Sequence, residues 1–179
     1  MATTFFMDGC ESNNNEAVKY FDSIYFPVQD IIELDNKFQE SMQQMLIASD
    51  QINDIEDTLL DEEDYSTSIN QIEEAYNNLR QYLDNSNSEI EGLSIYKNEA
   101  KLQRSALTII QAYKKVLETD FAEMLEILKQ ENPNMESNIR FNKLLNESNS
   151  TLDHELQEFY NIASDFGNRY NIDLEYDED

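Results

Sequence analysis

Residues 68–93, SINQIEEAYNNLRQYLDNSNSEIEGL, decide the fold class. Within them Ile69, Ile72, Tyr76, Leu79, Leu83, Ser86, Ile90 and Leu93 recur in alternating steps of three and four. A helix completes a turn in about 3.6 residues, so such steps bring all of these side chains to one stripe. This is the a/d seam by which helices pair in antiparallel bundles and coiled coils. The bundle seam is placed at Ile69, Ile72, Tyr76, Leu79 and Leu83. Ser86, inside Asn85-Ser86-Asn87-Ser88, weakens it and marks an expected bend, and Gly92 marks its end. The seam closes either within the chain or between two chains. Other long helices in the same sequence favour the first.

Upstream, Asp61-Glu62-Glu63-Asp64 interrupts the apolar pattern. It has neither the glycine nor the alternating ligands of a calcium loop and reads as a solvated turn, with Thr67 or Ser68 capping the helix that follows. Before it, Val28, Ile31, Leu34, Phe38, Met42, Met45, Ile52, Ile55 and Leu59 keep the same steps, with Ser41, Ala48 and Ser49 adding small residues. A helix from 28 to 60 would be about 50 Å long at ~1.5 Å per residue, which favours an elongated assembly. Pro27 either kinks a helix already carrying Val18, Phe21, Ile24 and Tyr25 or opens a new one as its first residue. Residues 1–13 read as disordered, with Asn13 to Asn15 at the helix entry.

Downstream, a third helix is expected over about 98–132. Leu102, Ala106, Ile109, Tyr113 and Val116 are followed by Leu117, Phe121, Met124 and Leu128. That one-position drift is what a straight helix produces, and Pro133 ends the element. Two shorter helices follow, one with Ile139, Phe141, Leu144 and Leu145, the other with Leu152, Leu156, Phe159, Ile162, Ala163 and Phe166. Asn146 to Ser150 forms the expected loop between them and Gly167 the stop. The organisation is therefore a disordered 1–13, a long helical bundle over 14–132, short helices over 133–167 and an acidic disordered tail over 168–179. The fold class is all-α: an elongated antiparallel helical bundle or coiled coil of three long helices plus shorter C-terminal helices.

Composition agrees with few, long elements. Of 179 residues only three are Gly and two Pro, too few for the turns of an all-β fold, while nine Phe and ten Tyr supply bulk for a narrow core. The net charge of −26 repels phosphate backbones, and the basic residues Lys97, Lys101, Arg104, Lys114, Lys115 and Lys129 are too dispersed for a nucleic-acid patch. That charge fits a solvated helical surface or an acidic face for a basic partner. The N-terminus MATTFFMDGC lacks a basic region and a sustained apolar run, so secretion is not expected, nor is any segment apolar enough to cross a membrane. Cytoplasm and nucleus remain open.

Catalytic chemistry finds no support in the residues. Cys10 and His154 are the only cysteine and histidine, too few for a zinc site, and nothing places them together for nucleophilic catalysis. Neither GxxxxGK[ST] nor GxGxxG occurs, and one His cannot furnish a di-iron bundle. No cofactor, metal or small molecule is expected, and the chain reads as a non-enzyme.

Asp64-Tyr65-Ser66-Thr67-Ser68, followed by Ile69, Ile72, Tyr76, Leu79, Arg80 and Tyr82, resembles the second helix in the N-terminal half of the SUMO-ligase subunit of the SMC five/six chromosome-maintenance complex. Asn138, Arg140, Phe141 and Leu144 fall where that family has a short polar stretch leading into an aromatic-containing helix. The similarity in order and spacing runs from about Glu16 to Leu145. It implies a nuclear, DNA-repair function: a helical arm docked on the coiled coil of an SMC-type ATPase. Its partner-binding residues would be Phe38, Met42, Met45 and Ile52, with Leu79 and Leu83 internal; adaptable Met-rich stripes suit helix docking. The family's C-terminal half carries a zinc-bearing RING-like domain. The chain ends at Asp179 without those ligands, so the resemblance implies binding without SUMO transfer. Two other readings stand beside it: a general coiled-coil assembly subunit, as in a kinetochore or vesicle tether, and an acidic chaperone for basic proteins.

Overall fold

The structure is a computed structural model that describes the backbone of residues 9–54, 62–130 and 134–172 and the side chains of 15–47, 65–130 and 134–172. Among the described residues every regular element is helical. They are α1 (Gly9–Asp54), α2 (Glu62–Glu91), a 3₁₀ turn (Tyr96–Asn98), α3 (Lys101–Val116), a π turn (Leu117–Phe121), α4 (Ala122–Leu128) and α5 (Met135–Tyr170). Because α3, the π turn and α4 follow one another without a break, the described helices form four rods.

The rods hold together through the stripes that periodicity predicts. On α1, Phe21, Ile24, Val28, Ile31, Phe38 and Met42 are buried; on α2, Ile72, Leu79, Leu83 and Ile90; on α5, Phe141, Leu144, Leu152, Phe159 and Phe166. Burial of each such side chain contributes about 1.5–3 kcal/mol, which holds the bundle against its chain entropy. Packing pairs α3 with α5 and α1 with α2 most extensively, and α1 also meets α3 and α5.

Several boundaries differ from those expected. Pro27 lies inside α1, which stays one helix of 46 residues. The lost hydrogen bond costs about 3 kcal/mol, yet Ile24 before the proline and Val28 and Ile31 after it are all buried on the same stripe. The backbone is also helical over Gly9–Asn13, since extending an existing helix is far cheaper than starting one; residues 1–8 lie outside the described residues. At α2 the backbone is helical from Glu62, so Thr67 and Ser68 are not its caps, and acidic residues in that first turn suit the positive end of the helix. Asp61 and Ile55 to Leu60 fall outside the described residues, as do 173–179 of the tail expected over 168–179, whose first residues to Tyr170 belong to α5.

No bend occurs at Asn85–Ser88. Ser86 is buried within a continuous helix, and the Ser88 hydroxyl donates to the Asp84 carbonyl at 3.0 Å. The C-terminal segment is likewise one helix of 36 residues in place of two short ones. Ser148, in the middle of the expected loop, is fully buried, its hydroxyl 2.8 Å from the Leu144 carbonyl oxygen and 3.0 Å from Asp120 Oδ2. Satisfied in this way, it does not break the helix. Nor does α5 stop at Gly167, which is buried within it. The helix ends at Asn171 in the left-handed region (φ 51), where the Ile172 amide donates to the Gly167 carbonyl at 2.9 Å.

The drift between Val116 and Leu117 also has a different cause. A straight helix would bring one of these two side chains out of the seam, yet both are buried. The π turn absorbs the extra residue: the Ala122 amide reaches back five residues to the Leu117 carbonyl. That carbonyl also accepts from the Tyr76 hydroxyl of α2 at 3.1 Å. Tyr76→Phe is therefore expected to destabilise the protein by about 1 kcal/mol in urea unfolding, the loss of one hydrogen bond without loss of packing. An unchanged midpoint would show that Tyr76 does not support the π turn.

Candidate functional site

The stripe expected to receive a partner lies inside the bundle. Phe38 and Met42 are 0% exposed and Met45 is 4% exposed, so the docking surface placed on them is corrected. The reason is the α2 seam, which packs over the same face. The Phe38 ring centroid is 5.9 Å from Tyr76 and 5.2 Å from Phe121. Ile52 lies outside the described side chains. Of the seam residues, Ile72, Leu79 and Leu83 are buried, while Ile69 and Tyr76 are half-buried against the core.

The apolar surface that is open lies elsewhere. Met135 and Ile139 are 80% and 60% exposed and stand one turn apart at the start of α5. Asn134 caps this helix, its Oδ1 accepting from the Ser137 amide at 2.9 Å. The Ser137 hydroxyl reaches Gln130, and the Tyr65 hydroxyl donates to the Leu128 carbonyl, so the starts of α5 and α2 meet the end of α4. Tyr65 also lines a cleft of about 170 Å³ with Ser41, Met45 and Ile72. Exposed Ile47, two residues past Met45, belongs to this end of the bundle. Sequence periodicity passed over Met135 and placed Ile139 in the apolar stripe with Phe141 and Leu144; that placement is corrected, because Ile139 lies off the buried stripe. The available signal was an apolar pair four residues apart on the wrong face.

A second site escaped sequence reading entirely. Asp35 is 4% exposed within the apolar stripe of α1. Gln39 donates to its Oδ2 at 2.9 Å, the Tyr113 hydroxyl of α3 lies alongside, and Oδ1 is left without a well-formed hydrogen bond. Burial pushes the Asp35 carboxyl from 3.8 up to about 6, against the two hydrogen bonds that pull it down. Burial also pushes the Tyr113 hydroxyl up, helped by the Asp35 charge and by Tyr160 and Asp153 of α5. The signal was present: the step from Ile31 to Phe38 passes through Asp35 at three-and-four spacing, whereas Leu34 is only half-buried.

Among the described residues no group of three or more His, Cys, Asp or Glu is arranged to hold a metal ion, and no helix is long and apolar enough to cross a membrane. His154 is exposed on α5, and the Cys10 side chain lies outside the description. No protein-family model matches the chain, and no curated protein or solved structure does so.

Phe38→Ala is expected to cost about 3–5 kcal/mol in urea unfolding, as for a large buried aromatic. A loss under about 1 kcal/mol would return Phe38 to the surface. Asp35 binds its proton more tightly folded than unfolded, so its stabilising contribution is complete below about pH 4 and is lost as pH rises through about 6. That gap amounts to about 3 kcal/mol at ~1.4 kcal/mol per tenfold change in proton affinity. Asp35→Asn should raise stability by about 2–3 kcal/mol at pH 8 and change it little at pH 4. A variant less stable than the parent at pH 8 would mean that the ionised carboxylate supports the fold.

Proposed function

We propose that this chain is a non-catalytic helical docking subunit that binds a coiled coil of an SMC-type chromosome-maintenance complex acting in DNA repair and the SUMO pathway. The observation that carries the docking half is the exposed pair Met135 and Ile139. Single exposed apolar residues are ordinary. Two on one helix face, with Ile47 at the same end of the bundle, form a surface suited to one apolar stripe of a partner helix. The SMC half rests on the resemblance of Tyr65 to Tyr82 and of Asn138 to Leu144, and the nuclear location follows from it. A general coiled-coil assembly subunit would use the same surface and differ only in its partner.

The acidic-chaperone reading has its own support. Lys37, Lys114, Lys129, Arg140, Lys143 and Arg169 already hold carboxylates, so half of the twelve basic side chains are engaged while the net charge stays at −26. Binding through that charge would collapse with salt.

The test is capture of the tagged chain from its native cells, washed at about 0.5 M salt, where exposed charges are screened beyond a few Å. The expected result is an SMC ATPase retained by the parent chain and lost with Met135→Glu combined with Ile139→Glu. These exposed changes should move folding stability by no more than about 0.5 kcal/mol. Recovery of histones alone, removed by the wash, would replace the docking reading with the chaperone one.

A further inference from the structure

A locally basic place lies at the opposite end of the bundle, where α3 begins and α5 ends. An open groove of about 620 Å³ runs there between the two helices, with Glu99, Lys101 and Arg104 on one wall and Ile162, Asp165 and Arg169 on the other, three cations against two carboxylates. Arg169 is paired with Glu99 at 2.7 Å, whereas neither Lys101 nor Arg104 holds a carboxylate among the described residues. Lys97 stands beside this end, its amine 5.0 Å from the Tyr96 ring centroid and 5.6 Å from that of Tyr170.

The start of α3 adds to the same sign. Its first turn contains no acidic side chain and no side-chain cap, and Lys101 and Arg104 stand at the positive end of the helix, where cations are unfavourable. The chain as a whole carries a net charge of −26, so a negatively charged segment is disfavoured over most of its surface and less so here.

Such a segment follows α5, whose last turns line the groove. Asn171 in the left-handed region turns the chain as it leaves α5, and Ile172, the last described residue, packs against the core. Residues 173–179 read DLEYDED, with five carboxylates in seven positions. Seven extended residues reach up to about 25 Å, several times what is needed to pass Lys101 and Arg104.

We propose that this groove is the docking site for the chain's own segment 173–179, whose carboxylates Lys101 and Arg104 receive. The contact is electrostatic and intramolecular. Its strength comes from the high effective concentration of a tethered ligand, and it weakens steeply with salt. Its consequence is that this groove is masked, so that an acidic partner must displace the segment before using it.

Zero-length carbodiimide cross-linking of the intact chain tests this, with unlabelled and ¹⁵N-labelled protein mixed in equal amounts at about 20 mM salt, where charge pairs are little screened. Lys101 and Lys97 are expected to link to carboxylates of 173–179 within one isotope label. Yield should fall at least about threefold in 0.5 M salt and in Arg104→Glu, which keeps both lysines. Matching circular dichroism spectra would establish that Arg104→Glu is folded. Tail links spread evenly over Lys19, Lys37, Lys115 and Lys143 would overturn the proposal, as would mixed-isotope links, which place a second copy's segment there, or an Arg104→Glu yield equal to the parent's.

Discussion

The ring of Phe38 is where three of the four rods meet, and their mutual placement depends on that contact. It packs against Tyr76 of α2 on one side and Phe121 of the π turn on the other. Phe121 reaches this position because an extra residue is stored in the π turn between Val116 and Phe121. Without it, the α4 seam residues Met124 and Leu128 would rotate by about 100° relative to those of α3. The Tyr76 hydroxyl closes the arrangement by bonding the Leu117 carbonyl, so one side chain serves both the packing and the helix distortion that makes the packing possible.

Around this apolar contact each rod carries one buried polar side chain: Asp35 on α1, Ser86 on α2, Gln103 on α3 and Ser148 on α5. Three of the four reach across to another rod. Gln103 donates to the Ile90 and Leu93 carbonyls at 2.7 and 3.1 Å and so satisfies the end of α2. Ser148 meets Asp120 in the π turn, and Asp35 faces Tyr113. An apolar seam alone tolerates sliding by a heptad, whereas a polar group that finds its partner in only one register does not. Asp35 is the costly member of the set, because its carboxylate is imperfectly satisfied and shifts towards its protonated form.

Helical character and the α2 seam were legible because period alone decides them. Which apolar stripe faced inward was not. Phe38, Met42 and Met45 present the same pattern whether they meet α2 or another protein, and it is the α2 seam, with Phe121, that covers them. The length of α5 was hidden by composition: Asn146 to Ser150 has the polarity of a loop, yet tertiary burial of Ser148 holds it helical. The π turn was hidden for a related reason, since a one-residue slip in an apolar pattern also fits a straight helix. Asp35 was legible in position but not in type, because a charged residue in a seam reads as a break in the pattern.

The placement of the few cations limits how a partner can bind. Lys114 reaches Asp84 on α2, Lys129 reaches Glu73 on α2, Arg140 reaches Glu123 on α4 and Arg169 reaches Glu99 beyond α2. Exposed pairs of this kind are worth only about 0.2–1 kcal/mol each, but each sits where two elements meet and relieves the repulsion that a −26 chain builds up on compaction. Four of the twelve cations thus bridge elements, and the surface as a whole stays strongly acidic. A partner approaching that surface gains nothing from its own carboxylates or phosphates. It must either be basic or bind where charge matters least, and the exposed Met135 and Ile139 at the start of α5 meet the second condition.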